Sequence, residues 1–145
     1  MIPCRGDHGR LPPGDNGRVS NSVRCPCLSG ETYSACCERF HHAHVAAPTA
    51  ELLMRSRYSA FAVGDAEYLL ATWHPRTRPG SLDLDDDTVW TRLDVDRVSA
   101  GGPFDREGFV EFTAYCQTGG ERRTQHETSR FERVGGAWFY VDGVE

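Results

Sequence analysis

The sequence contains no lysine, and Ile2 is its only isoleucine. Without lysine there is no Schiff-base nucleophile and no P-loop, whose phosphate cradle needs Gly-Lys-Ser/Thr. All 16 positive side chains are arginine, and the 21 negative ones leave a formal net charge of −5. An acidic balance with no basic run argues against the non-specific phosphate grip of a nucleic-acid binder. Long apolar runs are missing too: none approaches the ~18–20 residues that span a bilayer. The opening residues Met1-Ile2-Pro3-Cys4-Arg5-Gly6 hold no apolar stretch for a signal peptide. The expectation is a soluble, cytoplasmic protein.

What is present is a core and a cluster of sulfur. At 145 residues and 39% hydrophobic, the chain suffices for one ordinary domain with a small appendage. The cysteines are Cys4, Cys25, Cys27, Cys36, Cys37 and Cys116. Four of them form Cys25-Pro26-Cys27 and Cys36-Cys37, separated by Leu28-Ser29-Gly30-Glu31-Thr32-Tyr33-Ser34-Ala35. Ser29-Gly30 is a turn signal able to double the chain back and bring the pairs together. Adjacent cysteines such as Cys36 and Cys37 are poor disulfide partners. Four neighbouring thiolates repel unless a dication neutralises them, and Zn²⁺ takes four sulfurs tetrahedrally at ~2.3 Å. The alternatives on spacing alone are incidental thiols or a redox cluster. His41, His42 and His44 follow closely and read as surface residues beside the site. Cys4 and His8 read as part of a tail, and Cys116 as an incidental thiol.

The string from Cys25 to Cys37 resembles the SEC-C motif, Cys-x-Cys-x-Ser-Gly-x-x-Tyr-x-x-Cys-Cys/His. Every defining position matches, and the one departure is Leu28, where members usually carry glycine. The resemblance implies a zinc knuckle with Cys25, Cys27, Cys36 and Cys37 as ligands to one structural Zn²⁺. It also implies a protein partner, because the motif at the C-terminus of the SecA translocation ATPase contacts proteins.

Three segments follow from composition and periodicity. Residues 1–24 are rich in glycine, proline, arginine and asparagine and read as a disordered extension. Residues 25–44 form the knuckle, and residues 48–145 an α+β domain. Thr49 is an N-cap for a helix of about fourteen residues ending at Gly64, with Met54, Tyr58 and Phe61 at i, i+4, i+7. Asp65 caps a second helix, residues 66–73, stopped by His74-Pro75. Asp85-Asp86-Asp87 predicts a short helix through Trp90, its carboxylates at the positive end. Asp83-x-Asp85-x-Asp87 is not a calcium loop, because Thr88 stands where glycine is needed and Asp94 where glutamate is. Strands are expected around Leu93–Val95, from Phe109 to Cys116, over residues 124–134 and over residues 137–141, with Gly135-Gly136 turning the third into the fourth.

The element order and several strings resemble the YchJ-like family. They include residues 47–61, Thr72-Trp73-His74-Pro75, Glu127-Thr128-Ser129-Arg130-Phe131 and residues 138–143. The resemblance implies a nuclear-transport-factor-2-like (cystatin-like) fold, in which a curved antiparallel sheet wraps helices into a cone.

Such a cone offers a place for a small-molecule ligand, and the pocket candidates are Tyr58, Trp73, His74, His126, Glu127, Arg130, Trp138 and Tyr140. His126-Glu127 is not half of a His-Glu-x-x-His metal site, because Arg130 occupies the second histidine's place. In a strand, His126 and Arg130 share one face while Glu127, Ser129 and Phe131 share the other. Arg57, Glu127 and Arg130 could instead form ion pairs holding helix to sheet, with the aromatics as core. Two functions are weighed. The first is a non-enzymatic zinc-knuckle adaptor that docks a protein partner. The second is a small-molecule enzyme or binder, using His74 or His126 with Glu127 for proton transfer.

Overall fold

A computed structural model describes residues 24–42, 45–84 and 87–144. The extension expected over residues 1–24 lies outside them except for Arg24, as do Cys4, His8 and His44. The element order is α1 (Glu38–His41), α2 (Ala50–Val63), α3 (Ala66–Ala71), then β1 (Thr88–Ala100), β2 (Glu107–Thr118), β3 (Glu121–Val134) and β4 (Ala137–Gly143). No helix among the described residues is long and apolar enough to cross a membrane.

The α2 helix begins and ends where the residue chemistry says it should. Thr49 Oγ1 accepts from the Leu52 amide at 3.1 Å, satisfying an otherwise orphaned donor. Gly64 closes the helix in the left-handed conformation, φ 80°, which glycine adopts without a Cβ penalty. Asp65 caps α3 through the Tyr68 amide at 3.0 Å. That helix stops at Ala71, two residues short of the expected Trp73, because β4 captures the chain. Tyr140 N donates to Thr72 O at 2.9 Å, and His74 N donates to Tyr140 O at 2.7 Å.

The four strands form one antiparallel meander in chain order. Gly119-Gly120 and Gly135-Gly136 all have positive φ, as two-residue hairpin turns matched to the strand twist require. Register shifts leave an extra residue in β1 at Thr91 and Asp96 and in β4 at Val141; such bulges bend a sheet. Along β2 the buried residues Val110, Phe112, Ala114 and Cys116 alternate with Phe109, Glu111, Thr113 and Tyr115. The inner face meets Leu53, Met54, Tyr58 and Phe61 of α2 and Leu69 of α3. This is the α+β cone that the resemblance implied.

One element differs in kind. The helix expected through Trp90 is not there: Thr88, Val89 and Trp90 open β1 and pair with Thr118, Gln117 and Cys116. Pairing of Trp90 with β2 and its packing on Tyr58 and Phe61 of α2, both at 5.6 Å between ring centroids, outweigh the capping signal of the aspartates.

The β1–β2 connection is seated on the start of α2. Ala50 N donates to Gly101 O at 2.9 Å, and a Cβ on Gly108 would lie 2.5 Å from Gly101 Cα. Only glycine fits at Gly108.

Candidate metal centre

The knuckle is built by short-range backbone bonds. Arg24 and Thr32 form an isolated antiparallel bridge, and Cys25 N donates to Glu31 O at 2.9 Å. The loop between them passes through Leu28 and Gly30, both at positive φ, 64° and 98°. A leucine in the left-handed region costs roughly 1–2 kcal/mol, which explains why SEC-C members usually carry glycine there. On the return leg α1 starts at Glu38, immediately after the second cysteine pair.

This fold brings all four sulfurs together. Cys25, Cys27, Cys36 and Cys37 are free thiols, all buried, with their Sγ atoms within 4.8 Å of one another. Cys27 Sγ lies 3.7 Å from Cys36 Sγ, and Cys36 Sγ 3.8 Å from Cys37 Sγ. Sulfurs placed ~2.3 Å from a tetrahedral ion are about 3.8 Å apart, whereas a disulfide needs ~2.05 Å. The donor set therefore fits a metal ion and does not fit a disulfide pair.

Electrostatics point the same way. Cys25 is held well below the ordinary thiol range by hydrogen bonds from Cys27 and then Cys37, against burial. Cys27 is pushed up to about 11, first by its bond to Cys25, and Cys37 goes up further for the same first reason. Without a cation, ionising one buried thiol prevents its neighbours from ionising. Hydroxyls sit beside the sulfurs: Ser29 Oγ donates to Cys36 Sγ at 3.2 Å, and Ser59 Oγ lies 3.4 Å from Cys25 Sγ.

Ser59 belongs to α2, so the cone takes part in the site. Arg55 Nη1 donates to Cys27 O at 2.9 Å. His41 is the third link, and here the structure corrects the expectation of a surface histidine. It is buried, with Nε2 2.8 Å from Ser56 O and Nδ1 2.6 Å from Tyr33 Oη. A carbonyl only accepts, so Nε2 carries the hydrogen and Nδ1 accepts from the Tyr33 phenol. Burial lowers the proton affinity of His41 and raises the pKa of Tyr33, which keeps both in these roles. Arg55, Ser56 and Ser59 are close in the sequence of α2, yet nothing in it marks them as partners of the knuckle. His42 is exposed.

The cone candidates do not converge on one centre. His126 is on the outer face, with Nε2 2.8 Å from Glu111 Oε2. Glu127 is on the inner face, where Ser129 Oγ and Tyr140 Oη donate to its Oε2 at 2.6 and 3.1 Å. His74 pairs with Glu132 at 3.3 Å. Arg130 is also outside, 3.3 Å from Asp142, so it does not tie helix to sheet. Tyr58 packs edge-on against Trp90, Trp138 Nε1 donates to Pro48 O at 3.2 Å, and Trp73 meets Tyr140 edge-on at 5.2 Å. Strand alternation thus separates His126 from Glu127 across the sheet. Arg57 is fully buried and donates to Leu69 O and Thr72 Oγ1 at 2.8 and 2.7 Å, so its hydrogen bonds go to α3 and its C-cap. Cys116 is buried in β2, opposite Trp90 of β1.

A buried four-sulfur knuckle closed on the first helix of an α+β cone defines a class: a small cysteine-cluster module, with a donor set compatible with a metal ion, fused to a nuclear-transport-factor-2-like domain. Comparison with known proteins agrees. Residues 23–39 match the SEC-C motif and residues 49–143 the YchJ middle NTF2-like domain. The chain belongs to the YchJ-like family. It is 56% identical over 119 residues to a UPF0225 protein of Streptomyces coelicolor, covering 82% of this chain and 93% of that one. A UPF0225 protein of Corynebacterium glutamicum is 52% identical, with 83% and 95% covered. Among solved structures, a SEC-C motif containing protein from Rhodopseudomonas palustris superposes with TM-score 0.73 at 33% identity, covering 84% of this chain and 98% of that one. One from Psychrobacter arcticus gives 0.70 at 29%, covering 84% and 82%.

Proposed function

We propose that this protein is a cytoplasmic, non-enzymatic adaptor whose knuckle holds one structural Zn²⁺ and docks a protein partner. The observation that carries the reading is the set of four buried sulfurs spaced for a tetrahedral ion. Zinc suits an all-thiolate set with no open position, and a closed site is structural, not catalytic. A reducing compartment keeps such thiols available. The loop tip supplies the contact surface: Leu28 is 50% exposed, held there by a left-handed backbone, and Ser29, Gly30 and Glu31 beside it are exposed. Behind the tip, Arg55, His41 and Ser59 brace the knuckle on α2, so the cone acts as its rigid support.

Metal analysis of freshly purified protein tests the first half. One zinc per chain is expected; iron in its place, or substoichiometric metal, counts against it. For the second half, a partner captured by the wild-type protein should be lost on replacing Cys36 and Cys37 by serine, and weakened by Leu28→Asp with zinc retained. Retention of the partner by both variants would refute the docking role.

A further inference from the structure

The adaptor role leaves one buried group unused. Arg57 is 0% exposed, and burial brings its pKa down only to about 10, so it stays a cation at neutral pH. One end of the guanidinium is pinned: Nη1 donates to Leu69 O and Thr72 Oγ1. The opposite edge, formed by Nε and Nη2, has no hydrogen-bond partner among the described residues. Trp73 Nε1 has none either, and the Arg57 Cζ lies 5.2 Å from the Trp73 ring centroid and 4.7 Å from that of Tyr140.

Buried donors in native proteins are almost always satisfied, and a charged one is the most costly to leave unmatched. The unpartnered hydrogens number one on Nε, two on Nη2 and one on the indole. A single water accepts about two of them and brings no charge. A carboxylate offers roughly four acceptor positions, a negative charge and the planar spacing that matches the Nε/Nη2 edge. The walls are the Trp73 and Tyr140 rings, so the rest of the ligand is apolar or aromatic. Thr72, which holds Nη1, also lines a cavity of about 200 Å³ with Leu53, Tyr68, Ala71, Trp138 and Phe139. The Glu127 charge helps keep Arg57 protonated, but Arg57 makes no hydrogen bond to it, so the Nε and Nη2 donors stay unmatched.

We propose that the Nε/Nη2 edge of Arg57, with Trp73 Nε1, is a binding site for a small apolar or aromatic monocarboxylate in the cone. Benzoate titrated into the full-length, zinc-loaded protein tests it, read by NMR on the Trp73 indole Nε1–H and the Arg57 Nε–H. Both resonances should shift saturably, while the indole signals of Trp90 and Trp138 stay in place. Benzamide, which has the shape without the charge, should bind at least ~10-fold more weakly. Glu127→Gln removes a nearby negative charge and should tighten benzoate binding, whereas Arg57→Lys should abolish the shift. If Arg57→Lys does not fold, the wild-type titration and Glu127→Gln still decide. Resonances unmoved at tens of millimolar benzoate, equal response to benzamide, or an Arg57–Glu127 pair that benzoate does not displace would each overturn the proposal.

Discussion

The knuckle and the cone are stable for different reasons, although they share α2. The knuckle packs Tyr33 and Phe40 around its sulfurs, closes on itself through turns of three to six residues, and leans on α2 through Arg55, Ser56 and Ser59. So short a segment buries little apolar surface of its own, and the zinc proposed for its sulfurs would offset its conformational entropy. The cone closes long-range pairings from β1 to β4 over an aromatic and aliphatic core. The difference teaches where each is vulnerable: the knuckle to its ligand set, the cone to its packing, and the joint to a few polar contacts on one helix.

The most severe way to separate the two is to remove the proposed zinc ligands. Replacing Cys36 and Cys37 with serine should forfeit binding worth on the order of 10 kcal/mol. Hydrogen exchange should then show residues 24–42 unprotected while β2 and β3 remain protected. Global loss of protection would break the comparison. The converse is Gly108→Ala, whose Cβ would meet the Gly101 backbone at 2.5 Å. It should cost the cone about 3 kcal/mol, seen as a lower urea midpoint, with one zinc per chain still bound.

The joint is tested by His41→Ala, which leaves the buried Tyr33 hydroxyl unpaired and removes the knuckle's link to the Ser56 carbonyl, at about 2 kcal/mol. The sign of its pH dependence follows from burial, which lowers the proton affinity of His41 in the folded state. The stability it contributes is full above the unfolded value of ~6.5 and is lost as pH falls through the lower folded value. The wild-type advantage over His41→Ala should therefore shrink on acidification below about pH 6.5. A constant difference between pH 8 and 5 would remove His41 from this role. The smallest effect is expected at Leu28→Gly, which relieves a left-handed leucine at φ 64°. It should raise knuckle stability by up to about 1 kcal/mol, read as slower zinc loss to a chelator.

Much of the molecule is legible from local signals. Thr49, Gly64 and Asp65 bound their helices through their own side chains or backbone freedom, within a turn of where they act. Alternation along β2 and β3 assigns inner and outer faces, and by itself puts His126 and Glu127 on opposite sides of the sheet. The sulfur cluster is visible because its four ligands lie within thirteen residues joined by a turn. Trp90 is where local signals mislead. The aspartates before it favour a helix, whereas the residues that hold it in a strand are Tyr58, Phe61 and Cys116, all distant in sequence.

What the sequence alone determined, then, is the four-cysteine cluster, the helix limits and the two-faced strands, all of which depend on neighbours a few residues apart. Tertiary structure decided what those pieces do to one another. It buried His41 between the knuckle and α2, carried Ser59 to Cys25, sent Arg130 outward and enclosed Arg57 with one edge unpaired. These outcomes depend on the environment a side chain meets after the chain has closed on itself. The same histidine or arginine is a surface group in water and a constrained donor or acceptor inside.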